Sequence, residues 1–480
     1  MRHGLPVRGT EPQVSGCATP NASGPSSRGC DSPFPGKNAA FPEEPARAAV
    51  LSARCSARFR RSYVIFLYIY LLNLFIAPQD WLEPFKGLPV DYIVYPCWLL
   101  FALATGRLLK IRFHLAEVFF AAFIFWVVLS NVMNGTTENI VPIALSQYVK
   151  WLVLFILIRS TVTNVQDLRR AGACMVLLVY VLVIEGIQQK HDPAGLNWAG
   201  GGLGWVDAEV LAAGGTGRTQ WVGVFEGMGV FCVAYTAALP YVLQYTTSTF
   251  KPAVRWLNRL GLPFLLVAIY YTGSRGGFLA TLALIGLHIA VVRKVSARSI
   301  LIAATAATVA FTVAPSSLTQ TKDSEGSAQN RVDVWAQGLG FVIDSPVWGV
   351  GRGNFAERTG SLIAHNSGMQ IMAETGLIGM FLWVSLIAVS LRAAYVRYQL
   401  SLEPSDRRVI AATMASVVGY LVSSFFVTLE YETFYMLLAL CAALATPVTQ
   451  PLLYRRKEFM ICCGIVVVFL LAIKGIVMVY

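Results

Sequence analysis

With 480 residues, 56% of them hydrophobic and only 13% charged, the chain has too few charges to clothe a soluble globule of its size, which places it in a bilayer. The formal net charge of +12 raises the question of a nucleic-acid partner, but Lys and Arg fall in short clusters between apolar runs and form no single surface stripe, so no nucleic acid is expected. The nine Cys residues lie in the N-terminal tail (Cys17, Cys30, Cys55) or inside apolar segments, with no C-x-x-C pair in a loop, and predict neither a disulfide framework nor a zinc site.

Residues 1–60 are rich in Pro, Gly, Ser and Arg, show no apolar periodicity, and bury too little to offset the entropy of ordering; a disordered tail is expected there. A start codon placed too far upstream is the alternative reading. The first apolar run, near Tyr63, continues too long without a small-residue cleavage site to be a signal peptide.

A spanning helix needs roughly 20 mostly apolar residues, and about thirteen stretches approach that. In chain order they are 62–78, 90–106, 114–133, 141–159, 171–188, 219–245, 257–272, 276–292, 299–315, 376–392, 409–428, 430–447 and 459–480. The fold class predicted is an all-α polytopic transmembrane bundle, 61–450, with 451–480 adding a C-terminal helix. If the basic tail (Arg54, Arg58, Arg60, Arg61) is cytoplasmic, every second connection should be cytoplasmic and basic. Those connections do carry Arg107, Lys110 and Arg112; Arg169 and Arg170; Lys251, Arg255 and Arg259; Arg293, Lys294 and Arg298; Arg392, Arg397, Arg407 and Arg408; and Arg455, Arg456 and Lys457.

Two outer connections are long: 189–218, which is Gly-rich, and 316–375, and loops of that length are usually functional. From Gln329 to Asp344, the residues Val332, Trp335, Leu339 and Val342 share one face, the pattern of a helix lying on the membrane or on the bundle. A short helix capped by Asn366 or Ser367 is expected to run to Glu374 before Gly376 opens the next span. No internal repeat marks an inverted-repeat transporter.

Thr272-Gly273-Ser274-Arg275-Gly276-Gly277 falls between two spans on the outer side. Its glycines allow close backbone approach, N–H groups starting the next helix favour an anion, and the Arg275 guanidinium offers bidentate contacts to phosphate. The alternative is an interfacial Arg reaching to headgroups from a tight turn. A second group holds Asn330-Arg331-Val332-Asp333-Val334-Trp335, then Gly349-Val350-Gly351-Arg352-Gly353-Asn354-Phe355, then His365-Asn366-Ser367 and Ala373-Glu374-Thr375-Gly376-Leu377-Ile378-Gly379. By itself a loop His is more often a surface or capping residue than a catalyst. Glu374 reads as a second base or, preferably, as a helix residue paired with Arg352. Gly351 and Gly353 do not make a dinucleotide fingerprint, because no strand precedes them.

In this order and shared location, these motifs resemble the O-antigen ligase and polymerase family. The resemblance covers roughly 215–395 by motif and 60–450 by span layout. It implies an inner-membrane enzyme of lipopolysaccharide or polysaccharide biosynthesis, with 316–375 as a periplasmic catalytic loop. Its activity would be an inverting, metal-independent transfer of a glycan from an undecaprenyl-diphosphate-linked donor to a hydroxyl of a glycan or lipid A-core acceptor, among membrane lipids and without cofactor. The resemblance assigns Arg275 and Arg331 to the diphosphate and His365 to the acceptor, with Arg218, Arg352, Asn366 and Glu374 as further substrate contacts. The residues are compatible: a departing lipid diphosphate needs charge stabilisation that two arginines can supply, and no outer loop carries an Asp-x-Asp pair or acidic cluster.

The sequence departs from the family where Glu226-Gly227 follows Arg218, at a position expected to hold Pro-Asn. Glu226 and Lys150 are read as ionisable residues inside spans, functional or paired with each other. A repeat-unit polymerase is the alternative within the class. A flippase for the same lipid-linked glycan is the alternative outside it, disfavoured because the polar chemistry is concentrated in one outer loop and not at the bilayer midplane.

Overall fold

A computed structural model describes residues 63–110, 113–204, 217–293, 323–445 and 454–479. The N-terminal tail 1–60, the span expected at 299–315, and the centre of the Gly-rich loop lie outside them. Each of the other expected spans coincides with a helix. These are α1 Tyr63–Ile76, α2 Val90–Ala104, α3 Leu115–Met133, α4 Thr137–Thr161, α5 Val165–His191, α6 Met228–Tyr245, α7 Pro252–Tyr271 and α8 Arg275–Arg293. After the amphipathic helix α9 Asp323–Asp344, which was expected as no span, they continue with α10 Ser367–Leu400, α11 Pro404–Ser424, α12 Glu432–Ala442 and α13 Arg456–Val479. Seven of these helices (α3, α4, α5, α6, α7, α10 and α13) are long and apolar enough to cross a membrane unaided, and four shorter apolar ones pack among them. The protein is an all-α polytopic membrane protein; among the described residues extended pairing is confined to two isolated bridges.

Local chemistry sets the helix starts. The Asn164 side chain accepts from Asp167 N at 2.9 Å to open α5, and His114 and Glu117 form a reciprocal capping box on α3. In α4 a single 3₁₀ turn leads into a π-helical stretch, Ile140–Tyr148, before the α-helix begins. Boundaries shifted where a glycine intervened. The span expected at 219–245 begins only at Met228, because Gly227 (φ 92) breaks the chain ahead of it. The amphipathic helix expected from Gln329 starts at Asp323 and buries Val332, Trp335, Leu339 and Val342 as its pattern required.

Helix α10 is the central column, packing on α3, α9, α11, α12 and α13, while α6 is enclosed by α5, α7, α8 and α11. The expected short helix and the following span are one element, broken at Gly376, where φ is 70° and ψ −173°. A Cβ at that position would lie 2.2 Å from the Val347 carbonyl oxygen, so the close approach of the preceding loop demands glycine.

Side-chain bonds sort the connections into two ends. At one end basic clusters meet: Arg169 pairs with Asp406 at 2.6 Å, Arg408 reaches Gln244, Arg259 reaches the Thr246 carbonyl, and Arg392 pairs with Glu458. At the other, the connection after α5 joins the α7–α8 turn through Thr219 N and Tyr271 O (3.0 Å), and the 345–355 loop joins α3 through Ser130 Oγ and Trp348 O (2.7 Å).

Candidate active site

The turn carrying Arg275 is built from its own short side chains. Thr272 is buried and donates to Ile269 O; Gly273 takes φ 58°; Ser274 Oγ accepts from Gly277 N at 3.1 Å and so caps α8. The following glycines are also required by packing. A Cβ at Gly277 would meet Cys232 Sγ at 2.0 Å and one at Gly276 would meet Phe426 Cβ at 2.7 Å, so both serve the packing of α8 against its neighbours. That turn presents the exposed Arg275 side chain.

Arg218 is brought to the same turn. Its backbone pairs with Gly204, and the next residue bonds Tyr271 O, which lays the Arg218 side chain across Gly273: a Cβ there would lie 3.1 Å from both Cδ and Nε. Arg331 arrives on α9, whose apolar face docks on α10 and α13. His365 arrives at the mouth of α10. Its φ of 49° is a left-handed conformation, uncommon outside glycine though tolerated by His, and the carbonyl before it, Ala364 O, accepts from Trp335 Nε1 at 2.7 Å.

These four side chains affect one another. Burial holds Arg218 and Arg331 below the usual arginine value, and the Arg275 charge lowers both further. Burial likewise lowers His365 from the ordinary 6.5, with the Arg331 charge acting in the same direction, so its neutral form is favoured at neutral pH. Among the described residues none of the three arginines has a carboxylate partner. Next to His365, Asn366 accepts from Met369 N to cap α10, while its buried Nδ2 donor is left without a partner.

Arg352 and Glu374 sit elsewhere. Arg352 is gripped by Glu374 and Glu430 together and donates to Tyr148 Oη at 2.9 Å, with the arginine side chain 11% exposed and the carboxylates 1% and 2%. Glu374 also accepts from Phe355 N, and Asn354 ties the loop to Thr136 and Asn139. The Arg352–Glu374 pair read from the sequence is therefore present, but inside a larger buried knot whose members Glu430, Tyr148 and Tyr435 the sequence did not reveal. Glu430 escaped notice because two apolar runs, 409–428 and 430–447, abut with scarcely a loop between them.

Lys150 and Glu226 do not pair. Lys150 bridges Asp91 (3.3 Å) and Glu432 (3.1 Å), and Glu226 is exposed ahead of α6. A further acid inside a helix is Glu185, fully buried on α5 with the Trp198 backbone N–H near its carboxylate but no close hydrogen bond to it. A cavity of about 280 Å³ lies at the basic end, between α6, α8, α10 and α11; it is apolar apart from Gln244, His288 and tyrosines, and holds none of the candidate residues. Among the described residues no group of three or more His, Cys, Asp or Glu could hold a metal ion.

Residues 260–384, which carry Arg275, Arg331, Arg352, His365, Asn366 and Glu374, match the family model described as O-antigen ligase. Over this stretch the chain is similar to the O-antigen ligase family. A comparison with curated proteins finds no match. The match supports a ligase- or polymerase-type glycosyltransferase in a multi-pass membrane protein, and the matched stretch includes every candidate residue but Arg218, which the fold adds to the cluster from outside it.

Proposed function

We propose that this O-antigen ligase-type protein transfers a glycan from an undecaprenyl-diphosphate carrier to an acceptor hydroxyl at the periplasmic face of the inner membrane. The observation that carries the reading is the gathering of three guanidinium groups without a carboxylate partner, beside a histidine favoured in its neutral form. Like charges gathered at a cost to the fold suit an anion of high charge, and a diphosphate meets that need. The enrichment of Lys and Arg at the opposite end supports the orientation.

In the proposed step, His365 takes the proton of the acceptor hydroxyl and the oxygen attacks the anomeric carbon from the face opposite the diphosphate. The bond from that carbon to the diphosphate oxygen breaks, configuration inverts, and the leaving electron pair is stabilised by Arg218, Arg275 and Arg331 in the role otherwise given to a divalent cation.

The test is transfer per folded molecule in nanodiscs, using an undecaprenyl-diphosphate-linked oligosaccharide with either a lipid A-core or a second carrier-linked acceptor; the acceptor used separates ligase from polymerase. Arg275→Lys and Arg331→Lys should each lose more than about tenfold, since Lys cannot grip bidentately. EDTA should leave the rate unchanged. Near-normal turnover in either variant removes that arginine from the mechanism, and loss in EDTA restored by magnesium overturns the metal-free step.

A further inference from the structure

The three chain segments that bring Arg275, Arg331 and His365 together are far apart in sequence, and none of the three side chains bonds another directly. What touches all three segments is the short connection between α11 and α12, Phe425–Glu430. The Phe425 ring meets Trp335, one turn beyond Arg331 on α9, edge-on at 5.7 Å between centroids and 74°. That indole donates to the Ala364 carbonyl immediately before His365. Phe426 fills the space left by Gly276, the residue after Arg275. Thr428 Oγ1 donates to Gln370 Oε1 at 3.0 Å and Leu429 N donates to Ser367 Oγ at 2.8 Å, both on the first turn of the helix that His365 opens. Glu430 closes the connection onto Arg352, with Tyr148 and Tyr435 donating to the same carboxylate.

We propose that Phe425–Glu430 is a positioning strap for the transfer site: it sets the register between the Arg275 turn, the Arg331 helix and the His365 loop, and its most direct limb runs from Phe425 through Trp335 to the backbone of His365. The strap lies beyond the matched stretch 260–384. A left-handed His backbone is strained and persists only when its surroundings over-determine it. Two contacts do so here, the indole N–H on Ala364 and the Asn366 cap. The glycine at 276 has the complementary role, since any side chain there would displace Phe426 and with it the strap.

This inference rests on the proposed transfer for its kinetic arm only. In nanodiscs, with the undecaprenyl-diphosphate-linked oligosaccharide as donor, Phe425→Leu and Trp335→Phe should each lower kcat about three- to tenfold with little change in KM for the donor, because these two side chains form the limb to His365 while Phe426 still holds the Arg275 turn. Phe425→Tyr should retain most of the wild-type rate, and either change made in a His365→Ala background should cost little more, since the strap acts through that residue. The second arm needs no activity. Five histidines occur in the chain, so selective ring labelling with His365→Gln as the assignment control isolates the His365 signal; it should move in Phe425→Leu and Trp335→Phe and stay fixed in Lys86→Ala, remote from the strap. An unmoved His365 signal in folded Phe425→Leu overturns the proposal, as does a loss of rate that merely follows loss of folded protein. If the wild-type protein transfers nothing, the functional reading fails while the His365 signal still decides the strap.

Discussion

Removing an arginine from this protein should have opposite consequences depending on which arginine is removed. Arg352 lies between Glu374 and Glu430, whose side chains are 1% and 2% exposed, so Arg352→Met leaves two buried carboxylates facing each other with Tyr148 and Tyr435 as their remaining polar company. Breaking a buried pair from one side typically costs about 3–5 kcal/mol, a large part of the roughly 5–15 kcal/mol by which a folded domain is stable. Arg275 and Arg331 have no carboxylate to orphan among the described residues, and each carries the repulsion of the other. Their replacement by Met should therefore change stability by no more than about 0.5 kcal/mol, or raise it slightly, while lowering transfer by more than about tenfold. Heating the detergent-solubilised protein and following the folded fraction by size-exclusion fluorescence separates the two classes, with transfer per folded molecule measured in parallel. If Arg275→Met or Arg331→Met melts as early as Arg352→Met, the cluster is a structural element and the charge argument fails.

His365→Ala should reduce transfer roughly a hundredfold without altering abundance. Because burial and Arg331 depress the His365 value, its neutral, proton-accepting form persists below pH 6.5, so the acid limb of kcat/KM should fall below that pH; a limb above 6.5 would contradict the assignment. The stability linked to neutral His365 is present above 6.5 and is lost below it, as pH falls through the lowered value of the folded state, a dependence that His365→Gln should abolish. In a cysteine-free background, Glu357→Cys should react with an impermeant maleimide in intact spheroplasts and Arg455→Cys only after lysis; the reverse pattern inverts the topology. Gly376→Ala should sharply reduce folded protein, since its Cβ meets the Val347 carbonyl at 2.2 Å in a left-handed backbone; normal yield would show that the loop can yield there.

Much of the fold was legible because membrane burial writes itself into local composition. The apolar runs named the helices, the basic clusters sorted the connections, and the 3.6-residue pattern from Val332 to Val342 named the buried face of α9, all from residues close in sequence. The candidate residues Arg275, Arg331 and His365 were legible for a different reason, as motifs in a fixed order whose family the match over 260–384 supports. Their convergence on one end of the bundle is a property of the tertiary structure alone. So are the pairing of Lys150 with Asp91 and Glu432 in place of Glu226, and the second carboxylate on Arg352. In each case the partner is brought in by helix packing from tens or hundreds of residues away, and no local pattern encodes a distance in space. The same holds for the glycines after Arg275. The sequence could say that something approaches closely there, and only packing decided that it is Cys232 and Phe426.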